Sequence, residues 1–427
     1  MNISATDNGV PNGLQRVIGG KTGLLEKVIL HLPDRNEPAP FQTPPELASL
    51  EYLLESEEEI NLNITGKGTE FQGSIESCVG ELVERYAMSW PDREPMTMAS
   101  HAELNESAQV VDFEYLDLFD ESFRNEYLTD LTRETEMLWE AGTNLLTGDQ
   151  IYVPAEHVWN RTRFLADEPM RFLGTSNGVA AGPTMEAAML WALYELIERD
   201  GIMRTWWRHE EPPSVNIDSL PWLDDFKQRH LPNDDLSIHI FECDSRVDIP
   251  TYLSALVNEQ EKYPNMLVAG GADLDMRSAI IDASIESCQG WIYTHHLKNM
   301  YDIDRIDIDE TVYTLEENLL YYAHPENFED ISFLFDGPSL RPNPEEYTDI
   351  TAWSIRERLD HLLELLERTG CTPIAFDLTS EDIGNSGINV ARVVVPELVG
   401  LTPAGATPTE HPVFAGEELV EKPHPFP

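Results

Sequence analysis

Four glutamates stand at matching positions in two similar stretches of the chain. They are Glu81 and Glu84 in ELVERY, and Glu195 and Glu198 in ELIERD. Two residues three positions apart share one face of an α-helix. The residues around the second pair are apolar on almost every side, so this helix should be buried, and buried carboxylates need a cation. We therefore expect the two helix faces to meet in the fold and to bind a divalent metal.

Further polar residues fit a complex of magnesium with a nucleotide. Ser77 lies one helical turn before Glu81, and Glu286 and Gln289 share a face of a third, otherwise apolar helix. Lys67, one of seven lysines in the chain, stands in the turn TGKG as a phosphate contact. Mg²⁺ takes oxygen ligands and usually bridges to nucleotide phosphates. The alternative is a set of solvated helix faces, whose Glu–Arg pairs would add about 0.3 kcal/mol each.

Two glycine-containing loops bear on nucleotide binding. GGKTG suggests a phosphate loop, but Gln15 stands where the pattern G-x-x-x-x-G-K-[ST] requires glycine. We therefore favour a hairpin over residues 15–32 and an enzyme without a P-loop. The second loop, at 174–184, precedes a helix, and its small residues let a ligand approach the backbone closely.

The composition excludes several classes of function. The formal net charge is −50, and acidic residues are spread along the whole chain. This excess is typical of a protein from an extreme halophile, because molar salt screens charges beyond roughly 3 Å. General nucleic-acid binding would need a basic surface. With four scattered cysteines, no signal-peptide pattern and no run near the ~20 apolar residues of a membrane span, we expect a cytoplasmic protein.

The apolar periodicity predicts strands that alternate with helices. Helices are predicted at 70–88, 185–208, 276–296 and 355–368, strands at 60–64, 151–159, 236–243, 251–258, 266–273, 372–379 and 390–398, loops or irregular segments at 33–48 and 91–112, and a partly helical segment at 113–141. This order favours an α/β or mixed α+β fold. We expect a catalytic domain at 60–401, an N-terminal elaboration at 1–59 and a Pro-rich tail at 402–427.

Several of these segments resemble the YcaO superfamily in order and spacing. They are GKGTEFQGSIESCVGELVERY, SNGVAAGPTMEAAMLWALYELIERD and the helix that ends IESCQ. The closing FDLTSEDI, INVARVVVPEL and PHPFP resemble the azoline-forming, SagD-like branch, the D protein of thiazole/oxazole-modified peptide pathways. The resemblance runs from about residue 60 to the C-terminus, and it implies a YcaO-type fold with mixed sheets flanked by helices.

The resemblance implies an ATP- and Mg²⁺-dependent peptide cyclodehydratase. In this branch a Cys, Ser or Thr side chain of a ribosomal precursor peptide attacks the preceding amide carbonyl. ATP phosphorylates the resulting oxyanion, and loss of phosphate leaves a thiazoline or oxazoline. An E1-like partner should present the precursor, because no such portion is evident here. A flavin dehydrogenase and a second copy of the chain are further candidate partners, and neither nucleic acid nor a membrane is expected.

The resemblance also implies roles for individual residues. The four glutamates of ELVERY and ELIERD would hold Mg²⁺. The ATP and phosphate contacts would be Lys67, Ser77, Glu186, Arg199, Glu286 and Gln289. The catalytic tail would be formed by Pro423, Pro425 and Pro427, because an extended proline-rich chain loses little entropy on ordering.

Three residues depart from the family pattern. They are Pro183 after the loop glycine, Ala187 after Glu186, and Trp291, two residues after Gln289. We expect all three to touch the nucleotide side of the pocket. They keep open an alternative in which the chain is a docking scaffold without catalysis. A third alternative is backbone thioamidation, which the PHPFP ending disfavours.

Overall fold

The fold is built from two large mixed sheets with helices between and around them. The computed structural model describes residues 17–19, 23–34, 37–48, 64–89, 96–116, 118–159, 169–231, 234–298, 315–341, 350–402, 405–420 and 422–426. Its strands are β1 Leu25–Val28, β2 Phe41–Thr43, β3 Pro45–Leu47, β4 Gly66–Gly68, β5 Thr97–Ser100, β6 Gln109–Val110, β7 Glu136–Asn144, β8 Gln150–Pro154, β9 Val179–Gly182, β10 Ser214–Val215, β11 Leu236–Glu242, β12 Thr251–Asn258, β13 Met266–Ala272, β14 Ser339–Leu340, β15 Ile374–Asp377 and β16 Asn389–Val394. Its helices are α1 Phe71–Ala87, α2 His101–Leu104, α3 Glu121–Tyr127, α4 Ala155–Val158, α5 Met185–Trp207, α6 Pro221–His230, α7 Met276–Leu297, α8 Leu315–Tyr322, α9 Ile355–Arg368 and α10 Glu381–Gly384.

Both large sheets combine parallel and antiparallel strands. The seven-stranded sheet has the order β6-β8-β7-β15-β16-β9, with β5 also paired to β7. The five-stranded sheet has the order β13-β12-β11-β10-β14. The pairs β6–β8 and β10–β14 are parallel, and two-stranded sheets join β1 to β3 and β2 to β4. The predicted mixed α+β class is therefore confirmed.

Helix α5 is buried because it packs against strands of both large sheets. It contacts β9 and β16 of one sheet and β12 and β13 of the other. Apolar side chains on different sides of the helix, such as Leu193, Ile197 and Met203, are fully buried. The helix begins after Thr184, whose hydroxyl oxygen accepts a hydrogen bond from the backbone N–H of Ala187. The prediction of a buried second acidic helix is confirmed.

Helices α1 and α7 complete the surroundings of the site. Helix α1 packs against β4, β9 and β2, and α7 packs against β12 and β13. Each helix turns apolar residues inward, among them Val79 and Leu82 of α1 and Ile280 and Cys288 of α7. The polar residues that remain on the other face of each helix are therefore available for a site.

Some local predictions are wrong because strand pairing is decided by distant residues. The predicted turn TGKG contains β4, which pairs with β2 inside the predicted loop 33–48. Strand β7 begins within the segment 113–141 predicted as partly helical, and β5 lies in the segment predicted as irregular. In place of a hairpin within 15–32, β1 pairs with β3. Residues 60–63 of a predicted strand lie outside the described residues.

The cysteines and helices agree with the expectations from composition. All four cysteines are buried and free. Burial raises the pKa of the Cys243 thiol to about 12, so this thiol stays protonated and packs as a small apolar group. Within the described ranges, no helix is long and apolar enough to cross a membrane.

Candidate active site

A large cavity of about 2060 Å³ lies between α1, α5, α7 and β13. Its wall includes most of the residues that the sequence singled out. They are Lys67, Ser77, Glu81, Glu84, Glu195, Arg199, Glu286 and Gln289. The structure thus brings together residues that are more than two hundred positions apart in the chain.

Helix α1 places its polar face along one side of this cavity. The carboxylate of Glu81 accepts a hydrogen bond from the backbone N–H of Thr65 at 3.2 Å, and the hydroxyl of Ser77 accepts one from the backbone N–H of Lys67 at 3.2 Å. Strand β4 can approach this closely because Gly66 has no side chain: a Cβ there would lie 2.0 Å from the carbonyl oxygen of Ser74. The loop before α1 is therefore fixed to the acidic face.

Helix α5 places its two glutamates on the facing side. Glu195 accepts a hydrogen bond from the backbone N–H of Gly178 at 2.7 Å. Gly178 has a φ of +73°, a left-handed conformation that favours glycine. Glu198 lies behind the cavity wall against β13, where a Cβ on Gly270 would come within 2.8 Å of its Cγ. Gly178 in the loop 174–184 and Gly270 in β13 are therefore needed for the positions of these carboxylates.

Two cations lie among the carboxylates. The Lys67 ammonium is 3.0 Å from a carboxylate oxygen of Glu286. The Arg199 guanidinium lies 3.8 Å from Glu195 and 3.6 Å from Glu198. Both cations line the cavity, so they can also neutralise phosphate oxygens.

Gln289 links the third helix to the loop before α1. Its side-chain amide donates a hydrogen bond to the carbonyl oxygen of Thr65 at 3.0 Å. Thr65 is thus held from two sides, because its N–H donates to Glu81. Sequence reasoning missed this role, since a backbone contact leaves no mark on residue type.

The electrostatics of the site are those of several carboxylates crowded together. Burial raises the pKa of Glu84 well above its usual range, and the nearby charge of Glu195 raises it further. Burial raises the pKa of Glu198 to about 8, with Glu286 acting in the same direction and Arg199 opposing it. For Glu286 the burial effect is outweighed by Lys67 and Arg199, so its pKa is lowered. The free-energy cost of this crowding would fall if a cation bound between the carboxylates.

The donor set fits a metal ion that is shared with phosphates. Among the described residues, no three His, Cys, Asp or Glu side chains converge closely enough to enclose a metal by themselves. Mg²⁺ commonly takes one or two protein carboxylates and completes its shell with water and nucleotide phosphate oxygens. Glu84 and Glu195, which are electrostatically coupled across the cavity, suit that mode of binding.

Several residues singled out in the sequence lie away from the cavity. Glu186 is half-buried and does not line it. The pKa of Arg356 on α9 is raised by Asp360 first and by the charge of Glu186 to a smaller extent, which places Glu186 on the α9 side. The expectation that Trp291 touches the nucleotide side is wrong, because its side chain, on the apolar face of α7, is 3% exposed and packs in the core.

The other two departures from the family pattern also miss the cavity wall. Ala187 is fully buried near Gly182, where an added Cβ would lie 3.1 Å from the Cβ of Ala187. Pro183 is half-buried and is not among the residues that line the cavity. These two residues shape the start of α5 and do not reach into the site.

The tail ends beside the cavity, and Phe426 forms part of its wall while being 1% exposed. The carbonyl oxygen of Pro423 accepts a hydrogen bond from the Tyr322 hydroxyl at 2.7 Å. His424 contacts the carbonyl oxygen of Thr402 at 2.7 Å through Nε2 and accepts a hydrogen bond from the N–H of Phe426 through Nδ1. Pro423 and Pro425 are buried. Pro427 lies outside the described residues.

Solved structures of a heterocyclase, a YcaO protein and a microcin synthetase share this fold. A heterocyclase in complex with substrate and cofactor aligns with a TM-score of 0.73 at 21% identity, over 97% of this chain and 57% of that one. YcaO from Methanopyrus kandleri bound with AMPPCP and Mg²⁺ aligns at 0.63 and 20% identity, over 94% and 91% of the two chains. The E. coli microcin synthetase McbBCD complex with pro-MccB17 bound gives 0.59 and 14% identity, over 94% and 96%. At these identities the likeness shows the fold.

The chain is shorter than some of the proteins that it matches. It spans 57% of the heterocyclase named above and 52% of the heterocyclase TruD. A comparison with curated proteins finds no match.

The family is shown by the sequence itself. Residues 65–399 match the family model described as YcaO cyclodehydratase, ATP- and Mg²⁺-binding. This match covers most of the chain and both acidic helices. It confirms the expected cofactors, ATP and Mg²⁺. The chain therefore belongs to the YcaO cyclodehydratase family.

Proposed function

We propose that the chain is the ATP- and Mg²⁺-dependent subunit of a cyclodehydratase that forms azolines at Cys, Ser or Thr residues of a ribosomal precursor peptide. The observation that carries the proposal is the cavity where Glu84 and Glu195 face each other beside the cations Lys67 and Arg199. Carboxylates for Mg²⁺ and cations for phosphate oxygens are what phosphoryl transfer requires.

We assign each residue a role from its position. Glu84 and Glu195, with Glu81 and Glu198 supporting them, hold Mg²⁺. Bound ATP supplies the phosphoryl group that makes the amide oxygen a leaving group. Arg199 and the Lys67–Glu286 pair orient and neutralise phosphate oxygens, while Ser77 and Gln289 hold the loop before α1 in place.

The tail would complete the catalytic side of the cavity, as in the SagD-like branch. Phe426 already forms part of the wall, and its backbone is held by His424. Pro423, Pro425 and Pro427 would keep the segment extended at small entropic cost. Removal of Phe426 and Pro427 should therefore abolish ring formation, whereas a thioamide-forming enzyme would not depend on this ending.

The partners and the setting are part of the same proposal. The microcin synthetase complex is a multi-subunit assembly with pro-MccB17 bound, which supports a peptide substrate and a separate E1-like, precursor-binding partner. A flavin dehydrogenase and a homodimer are further candidates. We place the chain in the cytoplasm of a halophile, with a catalytic domain at 60–401 between the N-terminal elaboration and the tail. The scaffold alternative loses support because none of Pro183, Ala187 and Trp291 lines the cavity.

The decisive experiment measures ATP hydrolysis and product mass together. The purified chain is assayed in high KCl with Mg²⁺ and a precursor peptide, with and without the E1-like partner. We expect partner-stimulated phosphate release and a peptide that has lost one water per ring. Glu84→Gln should lower turnover by at least about 100-fold, since it removes a carboxylate that would hold the Mg²⁺ needed to neutralise the reacting phosphates.

A matched control is Glu70→Gln, because Glu70 is exposed at the start of α1 and its side chain makes no capping hydrogen bond. This variant should turn over like the parent chain. Tight binding of Mg–ATP without any stimulated turnover would refute the enzyme proposal and favour the scaffold. A modified peptide in which an amide oxygen has been replaced by sulfur, with no loss of water, would instead identify thioamidation.

A further inference from the structure

A second, smaller cavity of about 150 Å³ adjoins the large one. The two cavities share four wall residues, which are Thr175, Asn177, Leu401 and Thr402. Most of the second cavity is apolar, with Phe119, Leu131, Leu196 and Leu398 among its lining side chains. It is too small for a nucleotide, and its size suits a group no larger than one side chain.

The side chain of Arg392 forms part of the wall of this second cavity. Arg392 lies on β16 opposite Val179 of β9 and is 5% exposed. One of its terminal nitrogens donates a hydrogen bond to the carbonyl oxygen of Thr175 at 2.9 Å. Its Nε donates no hydrogen bond in the described part of the chain.

The charge of Arg392 is not neutralised at close range. Among the ion pairs of the described residues, none involves Arg392, whereas Arg171 in the same wall lies 3.6 Å from Glu156. Burial lowers the pKa of Arg392 to about 10, and the more distant charge of Glu195 only partly opposes this. A buried, unpaired guanidinium is costly unless an anion meets it. Few such cations are expected in a chain with a net charge of −50.

Other wall residues also carry polar atoms that make no hydrogen bond within the described ranges. Among them are Nε2 of His157, the hydroxyl oxygen of Thr402 and Nε of Arg171. Burial lowers the pKa of His157 to about 4, so its ring is neutral and Nε2 can donate or accept. Several unsatisfied polar groups around one cavity indicate a polar ligand group at that point.

We propose that the second cavity binds a carboxylate carried on a short apolar stem. The planar guanidinium of Arg392 matches a carboxylate in shape and charge, and the apolar wall would cover the stem. Given the peptide substrate of the proposed function, on which this step rests, the carboxylate belongs to the substrate peptide. Because the two cavities adjoin at Thr175 and Thr402, a peptide bound at the large cavity lies near enough to place its carboxylate in the small one.

The test uses isovalerate and its neutral counterpart isovaleramide, which have the same shape. Both are titrated into the full chain at constant ionic strength, and binding is followed by ligand-detected NMR. We expect the acid to bind at least about tenfold more tightly than the amide, because a charge-assisted hydrogen bond is worth about 1.5–3 kcal/mol. Equal binding of the acid and the amide, or binding of neither, overturns the proposal. This outcome does not depend on whether the chain is catalytically active.

Two substitutions extend the test. Arg392→Gln should abolish the preference for the acid, while Arg358→Gln removes a half-buried arginine of α9 that lines neither cavity and should leave it intact. A preference that persists in Arg392→Gln refutes the assignment. If Arg392→Gln does not fold, the comparison of isovalerate and isovaleramide binding to the parent chain still tests whether the cavity binds a carboxylate.

The source of the carboxylate is tested by competition. Saturating isovalerate should inhibit peptide modification but not the basal ATP hydrolysis of the chain alone, and isovaleramide should inhibit neither. If isovalerate binds but does not inhibit peptide modification, the carboxylate site is supported. The proposal that the substrate peptide supplies the carboxylate is then refuted. A chain that binds the acid but never forms azolines would refute the proposed function and leave the binding site standing.

Discussion

The Glu198 side chain packs directly against the backbone of β13 at Gly270. This side chain fills the space that a Cβ on Gly270 would occupy, so β13 and α5 approach each other only because residue 270 is glycine. The carboxylate is 12% exposed, with Arg199 3.6 Å away. In such a place a proton or a metal ion lowers the cost of the buried charge.

This burial predicts a particular dependence of stability on pH. The pKa of Glu198 rises from its ordinary 4.5 to about 8 in the folded chain. The folded state therefore holds a proton that the unfolded state has lost, and stability falls as pH rises toward 8. His157, His411 and His424, whose pKa values burial lowers to about 4, act in the opposite direction only below about pH 6.5.

The measurement is the melting temperature between about pH 6.5 and pH 8. We expect it to fall across this range in the metal-free chain, and to fall less in Glu198→Gln or with saturating Mg–ATP. A slope that is the same in the parent and in Glu198→Gln would contradict the prediction.

Helix α5 is held in place by the last residue of ELIERD. Asp200 is 0% exposed, and its two carboxylate oxygens accept hydrogen bonds from the backbone N–H groups of Val399, at 2.9 Å, and Arg246, at 2.6 Å. Arg204 lies one turn further along, 4.0 Å away. The helix that carries Glu195 is thus fixed to two separate loops by one side chain.

We expect Asp200→Ala to lower the free energy of unfolding by about 3–5 kcal/mol, because it leaves two buried N–H groups and a cation without their partner. Asp200→Asn should cost less, since one oxygen remains. Chemical denaturation at fixed salt measures both.

The control is Asp360→Ala on α9, where Arg356 and Asp360 form an exposed pair with side chains 67% and 50% accessible. This change should cost less than about 1 kcal/mol. Similar costs for Asp200→Ala and Asp360→Ala would show that the Asp200 contacts are not stabilising α5.

Sequence patterns predicted the long helices well and the strand partners poorly. Helix α9 begins and ends where the pattern placed it, and α1, α5 and α7 differ by one or two residues, because periodicity and caps are local signals. The pairing of β2 with β4 depends on residues far apart in the chain. The same limit applies to the site: the glutamates stood out by type and spacing, whereas Arg392 and Phe426 acquire their positions only from the fold.

The whole molecule carries a large excess of negative charge, with 78 acidic against 28 basic residues. At an ionic strength of 0.1 M the screening length is about 10 Å, so neighbouring surface carboxylates repel one another. At 1 M it is about 3 Å, and this repulsion is largely removed. The fold should therefore depend on salt far more than that of a chain with balanced charge.

We expect the melting temperature to rise steadily as KCl is increased from about 0.1 M to about 2 M. Circular dichroism follows the transition, and a balanced-charge protein of similar size serves as the control. A melting temperature that stays flat over this range would show that the surface charges do not oppose folding, and would remove the physical reason for the proposed halophilic setting.

The wall of Thr175, Asn177, Leu401 and Thr402 divides the large cavity from the small one. A partition of this kind ties the two volumes together, since any shift of the wall enlarges one cavity at the expense of the other. A redesign of either cavity should therefore vary the residues on both faces of the partition together, because a substitution on one face would also change the shape of the other cavity.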